Sequence, residues 1–334
     1  MQEREILLSI CIPTYNRSNY LKICLNSIMS QVDINLPIEI IVSDNCSTDN
    51  SLEIIDEYIN NPLFRLIKQE KNLGPIINGY ELISKHAQGK FCWYVGDDDY
   101  IMNGAISNIV ELISQNKDVS FFYVDIENHE LDNKNISLEN TLQHLKNKLK
   151  IEKIDFIKLD RFEELLHPKY SDLFLGEIMA AIFNRELWLS DKGILKHLDQ
   201  EYLSTLETSY LHCVVFANQF MGKKAIYVAT PIVLVDNRAR EWSAKASYIL
   251  VEHLLTLIHL YKKRGLNGKL YNECVKHYFR LTLPVILKFF LNRKIAYRNR
   301  ISFFKYFVFV LNHPFLAIQT IYSRLIKKLQ STFN

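Results

Sequence analysis

Several common signatures are missing from this 334-residue chain, and each absence closes a class of function. Its six cysteines, Cys11, Cys24, Cys46, Cys92, Cys213 and Cys274, form no CxxC pair and show no metal-ligand spacing. They read as reduced, mostly buried thiols of a cytosolic protein, not as a disulfide framework or a zinc site. Charge of one sign is also missing: 40 Lys+Arg against 37 Asp+Glu leaves a net +3, so nothing demands a nucleic-acid partner. No apolar run approaches the roughly 20 residues that span a bilayer. The start, MQEREILLSICIPTYN, has no basic leader, long apolar segment or small-residue cleavage site, so no signal peptide is expected. Neither GxGxxG nor GxxxxGK[ST] follows the first apolar run, which argues against the usual dinucleotide and P-loop modes.

What is present is a chain rich enough in apolar residues, 48% with 12% aromatic, to build a sizeable core. Its most unusual stretch is Phe91–Tyr100, FCWYVGDDDY. An aromatic and β-branched run, the pattern of a short buried strand, stops at Gly96 and three adjacent carboxylates, Asp97, Asp98 and Asp99. Three neighbouring anions repel one another, so a cation or bulk water must screen them. A hard divalent cation, Mg²⁺ or Mn²⁺, shared with substrate phosphates is one answer. A solvated acidic turn is the other.

The upstream chain repeats one pattern. Buried strands are expected at Ile6–Pro13, Ile38–Val42, Phe64–Gln69 and Phe91–Val95. Helices are expected between them at Tyr20–Ser30, Leu52–Asn60 and Ile77–His86, the first capped by Ser18. Strand, polar loop and helix in alternation predict an α/β fold, a Rossmann-like, mainly parallel sheet flanked by helices. Ligands of such sheets bind beyond the carboxyl ends of the strands. The unusual polar groups follow four successive strands: Pro13, Thr14, Tyr15 and Arg17; Asp44 and Asn45; Asn72, Gly74 and Asn78; and the acidic triplet. They are therefore expected on one sheet edge.

In this order and spacing, Pro13–Arg17, Ser43–Asp49, Asn72–Gly74 with Asn78, and Gly96–Asp99 resemble family 2 glycosyltransferases of the GT-A fold, over roughly Ile6 to Asp125. The GDDD turn and the SDNCSTD loop are similar to the abequosyltransferase-like branch of bacterial surface-polysaccharide synthesis, O-antigen or capsule. The resemblance implies that Asp44 accepts a hydrogen bond from a pyrimidine ring N–H, framed by Thr14 and Tyr15; a helix N-cap is the competing role for Asp44. It implies Asp98 as the main metal ligand, assisted by Asp99 or Asp97, with the other named loop residues around the nucleotide-sugar. The family usually has an aspartate where Gly96 stands. Lys71 is either a phosphate contact or a solvated lysine.

Beyond the triplet, Asp118–Ile126 reads as a strand, the polar stretch 128–153 as a surface excursion, Phe156–Leu166 as a helix and Ala225–Val235 as strand. Leu173–Phe183 is a buried run interrupted by Gly176-Glu177, in a region that lies near the acceptor in the family. Family members usually carry a Glu-Asp pair at the start of the Tyr210–Phe220 helix, and the Asp is commonly the general base. Here the pair is Glu207-Thr208, and a threonine hydroxyl is no base near neutral pH. That leaves Glu207 as the candidate base, ahead of Asp199 and Glu201, its alternative being a favourable charge at a helix N-terminus. Arg238, Arg240 and Trp242 suit closure over a diphosphate and sugar, or belong to a linker.

From residue 246 to 334 the pattern turns to amphipathic helices, Tyr248–Lys263, Leu270–Leu291 and Ile301–Leu329, set off from a catalytic domain at residues 1–245. Basic and aromatic residues intermix at the end, which suits a membrane interface; packing on the sheet or a homodimer contact is the alternative. The expectation is an inverting, metal-dependent transferase. Its donor is a UDP-, dTDP-, CDP- or GDP-sugar and its acceptor a glycan, lipid-linked at the inner face of the cytoplasmic membrane. A nucleotidyltransferase would call for a Gly-rich basic loop after the first strand, absent here. A non-catalytic nucleotide-sugar-binding scaffold is the rival outside enzymes.

Overall fold

Among the described residues nine strands form one sheet in the order β3-β2-β1-β4-β8-β6-β9-β5, with β7 also paired to β9. This computed structural model describes residues 5–129, 150–197, 201–236, 243–292, 300–315, 318–320 and 322. The first half is the expected parallel array: β1 (Leu8–Thr14), β2 (Ile38–Asp44), β3 (Phe64–Lys68) and β4 (Phe91–Tyr94). Every residue of β2 and all but Pro13 of β1 are buried, which is why these strands read as largely apolar runs, interrupted by the bonded pair Ser9 and Glu39. Helices α1 (Ser18–Met29), α2 (Ser51–Asp56) and α3 (Pro75–Glu81) connect them, and α3 runs on into a π-turn at Leu82–His86. Pro13 costs the sheet nothing, because β4 pairs β1 only as far as Cys11 and a missing N–H there breaks no ladder bond.

The second half of the sheet is not mainly parallel. β8 (Ala181–Asn184) runs antiparallel to both β4 and β6 (Phe121–His129). The long β9 (Ala225–Asp236) is parallel to β6 and antiparallel to β5 (Asp99–Ile101) and β7 (Phe156–Leu159). Phe156–Leu166 is thus no helix: its first four residues are an edge strand and Phe162–Leu166 a 3₁₀ turn. Pairing with Ala225–Val228 supplies backbone partners that outweigh the helical spacing of FIKLDRFEELL.

One contiguous apolar core runs from Leu8 to Tyr306. Its densest part is aromatic: Phe216 lies 4.8 Å from Phe121, 5.4 Å from Phe183 and 5.5 Å from Phe220, ring centroid to centroid. The tail helices Ser243–Lys263 and Gly268–Leu291 contribute Leu254, Leu257, Tyr261 and Tyr278 to the same core. The boundary read at residue 245 therefore separates no second core. Most of the polar excursion, residues 130–149, lies outside the described residues.

Candidate active site

The loops after β1 and β2 are stitched into one surface. Thr14 stands opposite Asp44 in the ladder. Asn16, in the left-handed region at φ 54°, accepts the Thr48 N–H at 2.7 Å, and Asn16 N–H donates to Ser47 Oγ at 2.9 Å. The cap for α1 comes from this neighbouring loop: Ser18 N–H donates to Asp49 Oδ2 at 2.9 Å, so Ser18 is a capped residue and not the cap.

Asparagines join the next loop. Asn45 Nδ2 donates to Asn72 Oδ1 at 2.9 Å and Asn45 Oδ1 accepts from Leu73 N–H at 2.8 Å. Asn78 Oδ1 accepts from Ser43 Oγ at 2.6 Å. Gly74, at φ 79°, forms the turn in which its own N–H reaches Asn72 Oδ1 at 2.8 Å. These residues, read as ligand contacts, spend their amides on holding the loops together. Tyr15 and Lys71 lie exposed on the same rim.

Asp44 is different. Its side chain is 2% exposed, Oδ2 accepts from Ser47 N–H at 3.2 Å, and Oδ1 has no hydrogen-bond partner within the protein. A buried carboxylate oxygen left unmade costs roughly 1–3 kcal/mol, and a ligand N–H removes that cost. Asp44 caps no helix: α2 begins at Ser51.

The acidic triplet is a tight turn. Asp99 N–H bonds Gly96 O at 3.1 Å, and Gly96 N–H bonds Asp99 Oδ2 at 2.8 Å. A side chain at position 96 would place its Cβ 2.8 Å from both Asp98 Oδ1 and Asp99 Oδ2. The aspartate the family usually has there does not fit this turn, because a fourth carboxylate would stand on two others.

The counter-charge is a guanidinium. Arg17 Nη1 meets Asp97 Oδ1 at 3.0 Å and Arg17 Nη2 meets Asp98 Oδ2 at 2.9 Å, with the Arg17 fork 4.8 Å above the Tyr20 ring. Thr14 Oγ1 donates to Asp97 Oδ2 at 2.8 Å. Thr14, Arg17 and Asp97, each expected at the nucleotide-sugar, thus bind one another. Beneath them Cys24 Sγ–H points to Gly96 O at 3.5 Å. Burial first, and then Asp99, Asp97 and Asp98, push its thiol well above the ordinary value, so it stays protonated.

Asp98 and Asp99 line a cavity of about 270 Å³. Pro75, Ile76, Tyr80 and Ile83 contribute from the α3 side, Tyr94 from the end of β4, and Trp188, Leu211 and Ile249 from the second half. The cavity is mainly apolar and aromatic, and several polar groups on it are already engaged. Ser209 Oγ and His253 Nδ1 are 2.7 Å apart. His212 Nε2 bonds Leu175 O at 3.2 Å, and burial lowers its imidazole to about 4, so it remains neutral at physiological pH. Thr208 Oγ1 receives the N–H groups of Ser204 and Thr205 at 3.1 and 3.0 Å as a helix cap.

Glu207 lies half-buried in the turn Leu206–Ser209 and is not among the residues lining the cavity, whereas Glu177 is. Glu201 is exposed and paired with Arg300 at 3.5 Å. Asp199, Arg238, Arg240 and Trp242 lie outside the described residues. The signal for Glu177 was its place as the one acid in an otherwise apolar run, LFLGEIMAAIF.

Among the described residues no three His, Cys, Asp or Glu side chains cluster to hold a metal alone. Two carboxylates on one cavity wall are nevertheless the donor set a hard cation uses when substrate phosphates and water supply the rest. Asp98 and Asp99 fit that partial set.

Comparison with known proteins agrees with this geometry. The family described as glycosyl transferase family 2 matches residues 9–168. Abequosyltransferase RfbV of Salmonella typhimurium is 41% identical over 116 residues, 34% of this chain and 34% of the relative. The chain thus spans about a third of that relative's length. An uncharacterized glycosyltransferase of Haemophilus influenzae is 30% identical over 178 residues, 49% of this chain and 69% of the relative. Among solved structures, Staphylococcus aureus TarS 1–349 in complex with UDP-GlcNAc superposes with TM-score 0.55 at 18% identity, covering 94% of this chain and 79% of that one. The mannosyltransferase PcManGT of Pyrobaculum calidifontis, in complex with GDP-Man and Mn²⁺, gives 0.50 at 11% identity, covering 93% and 80%. These two structures establish the fold, a GT-A sheet flanked by helices with a helical C-terminal region.

Proposed function

The chain belongs to glycosyl transferase family 2, and from that premise we propose that it moves a sugar from a nucleotide-sugar to a hydroxyl of a glycan acceptor in bacterial surface-polysaccharide synthesis. The observation that carries this reading is the sequence of features along one sheet edge. Asp44 offers a buried, unused acceptor for a nucleobase N–H. The Arg17 fork, paired with Asp97 and Asp98, offers donors for a diphosphate. The apolar cavity next to Asp98 and Asp99 takes the sugar.

Tyr15 frames the base and Arg17 trades a carboxylate for a phosphate oxygen, a substitution its forked donors allow. Asp98 and Asp99 would hold Mg²⁺ or Mn²⁺, which when bound would supply charge neutralisation for a departing nucleoside diphosphate. A base on the far side of the anomeric carbon removes the acceptor proton, giving a single displacement with inversion.

The test is release of nucleoside diphosphate from UDP-, dTDP-, CDP- and GDP-sugars with Mn²⁺, alongside thermal shift with the nucleotides. At one hundred times its dissociation constant a bound ligand stabilises the fold by about 2.7 kcal/mol. Asp44→Ala is expected to weaken the best nucleotide by about 10- to 100-fold, the worth of a hydrogen bond to a charged acceptor. Its effect on Tm should be small, since it removes the unsatisfied Oδ1 together with the one Ser47 N–H bond to Oδ2. If none of the four donors shifts Tm or releases nucleotide, the reading falls.

A lipid-linked acceptor would bring the enzyme to a membrane, and the tail supports that part of the proposal. On the helix Phe303–Asn312, Phe304, Phe307 and Leu311 are 76%, 59% and 60% exposed along one face, continued by Phe315 at 85%. Exposed rings at helical spacing suit shallow insertion into an interface. No described helix is long and apolar enough to cross a membrane. Phe304→Glu with Phe307→Glu is therefore expected to abolish co-sedimentation with phosphatidylglycerol vesicles while leaving nucleotide binding intact. Co-sedimentation equal to the parent's would refute the membrane role and leave self-association, read by light scattering, as the use of this face.

A further inference from the structure

Resting on the transferase reading, we infer that Glu177 is the general base of this site. Glu177 lines the cavity that Asp98 and Asp99 also line. It is set there by a loop that the fold holds in a costly conformation. Phe174 and Leu175 are consecutive non-glycine residues in the left-handed region, at φ 53° and 69°, and both are fully buried. Backbone in that region persists only where the surroundings over-determine it, and such places concentrate at functional sites.

The clamps are visible. Leu175 N–H donates to Ser171 Oγ at 2.7 Å, and Ser171 Oγ lies 3.2 Å from the Tyr123 hydroxyl. Leu175 O receives His212 Nε2 and Cys213 Sγ, each at 3.2 Å. The Tyr261 hydroxyl reaches Phe174 O at 3.5 Å, and Trp93 Nε1 donates to Met179 O at 2.8 Å beyond the acid. Between them Gly176 passes so close to Tyr210 that an added Cβ would sit 2.8 Å from its ring. Bonds from two strands and two helices thus fix the backbone on either side of Glu177.

Other acids are less well placed. Glu207 does not line the cavity. Asp236 does, but it follows Val235, which pairs with Asp99, so it belongs to the side that receives the diphosphate. Glu177 reaches the cavity wall from the turn before β8, a different element from the one that carries Asp98 and Asp99. In the step, the acceptor oxygen attacks the anomeric carbon while its proton passes to the Glu177 carboxylate. The bond from that carbon to the diphosphate oxygen breaks, and the nucleoside diphosphate leaves with the electron pair. The carboxylic acid then returns its proton to solvent.

Glu177→Gln keeps the shape and removes the basicity. It is expected to lower kcat for nucleoside diphosphate release, with water as the acceptor, by about 10²- to 10⁴-fold. The nucleotide dissociation constant, measured by calorimetry with UDP or whichever of the four binds, should stay within about twofold, because only the chemical step is touched. The acid limb of the parent's kcat–pH profile should vanish in Glu177→Gln and persist, at lower rate, in Glu177→Asp. Parent-like turnover in Glu177→Gln, with the loss carried by Glu207→Gln instead, overturns the assignment. So does a Glu177→Gln protein that loses nucleotide binding and melts early, since that marks a structural acid. A parent protein that releases nucleotide from none of the four donors refutes the transferase reading itself.

Discussion

If the proposed metal role holds, Asp98→Ala is expected to lower kcat/KM for sugar transfer by about a thousandfold, close to 4 kcal/mol of transition-state stabilisation, and to remove dependence on added Mn²⁺. Asp98 is singled out by how its neighbours are committed. Asp97 spends one oxygen on Thr14 and the other on Arg17, and Asp99 gives Oδ2 to the Gly96 N–H. Asp98 is the most accessible carboxylate of the three, tied to Arg17 through a single oxygen. The same substitution barely changes stability, because a partly exposed ion pair is worth about 1 kcal/mol or less. Removing one of three crowded anions also relieves repulsion. Activity measured against Mn²⁺ concentration, with a melting curve beside it, reads both effects. Unchanged Mn²⁺ dependence would show that Asp98 holds no ion.

Phe216→Ala has the largest expected effect on the fold, a loss of about 3–5 kcal/mol measured by urea unfolding. The ring is fully buried and packs edge-on against Phe121 and Phe220 and tilted against Phe183, so it joins β6 and β8 to the helix Leu211–Gln219. A benzyl-sized void there has no flexible neighbour to fill it, since the surrounding side chains are themselves rigid rings. The site would feel it as well: Leu211 and His212 of the same helix line the cavity. A loss under about 1 kcal/mol would mean that the cluster collapses around the void and is not close-packed.

The nucleotide half was legible because its grammar is local. Strands buried on both faces leave largely apolar runs in β1 and β2, and the polar loops after them fall on one edge by topology alone. The outer strands were less legible. Phe156–Lys158 is exposed at the sheet's edge, so no apolar alternation marks it, and only its partner in β9 decides between strand and helix. Nothing in a pentapeptide motif shows that the Arg17 fork reaches the carboxylates of a turn after the fourth strand. The asparagines Asn45, Asn72 and Asn78 were legible as polar residues in the right loops, but not the hydrogen bonds by which they join those loops to one another. Glu177 was the hardest, since its position depends on Tyr123, His212, Cys213 and Tyr261, contributed from far apart in the chain.

That dispersal sets the order in which the enzyme becomes complete. Emerging from the ribosome, the chain has delivered Thr14, Arg17, Asp44 and the strands β1 to β4 by residue 94, whereas Asp99 meets its ladder partner only in Val235. The strained Phe174–Leu175 loop has no final clamp until Tyr261 has been synthesised and its helix docked. On the proposed reading, a chain short of Tyr261 therefore lacks the last clamp on the loop of its general base while it already carries Thr14, Arg17 and Asp44.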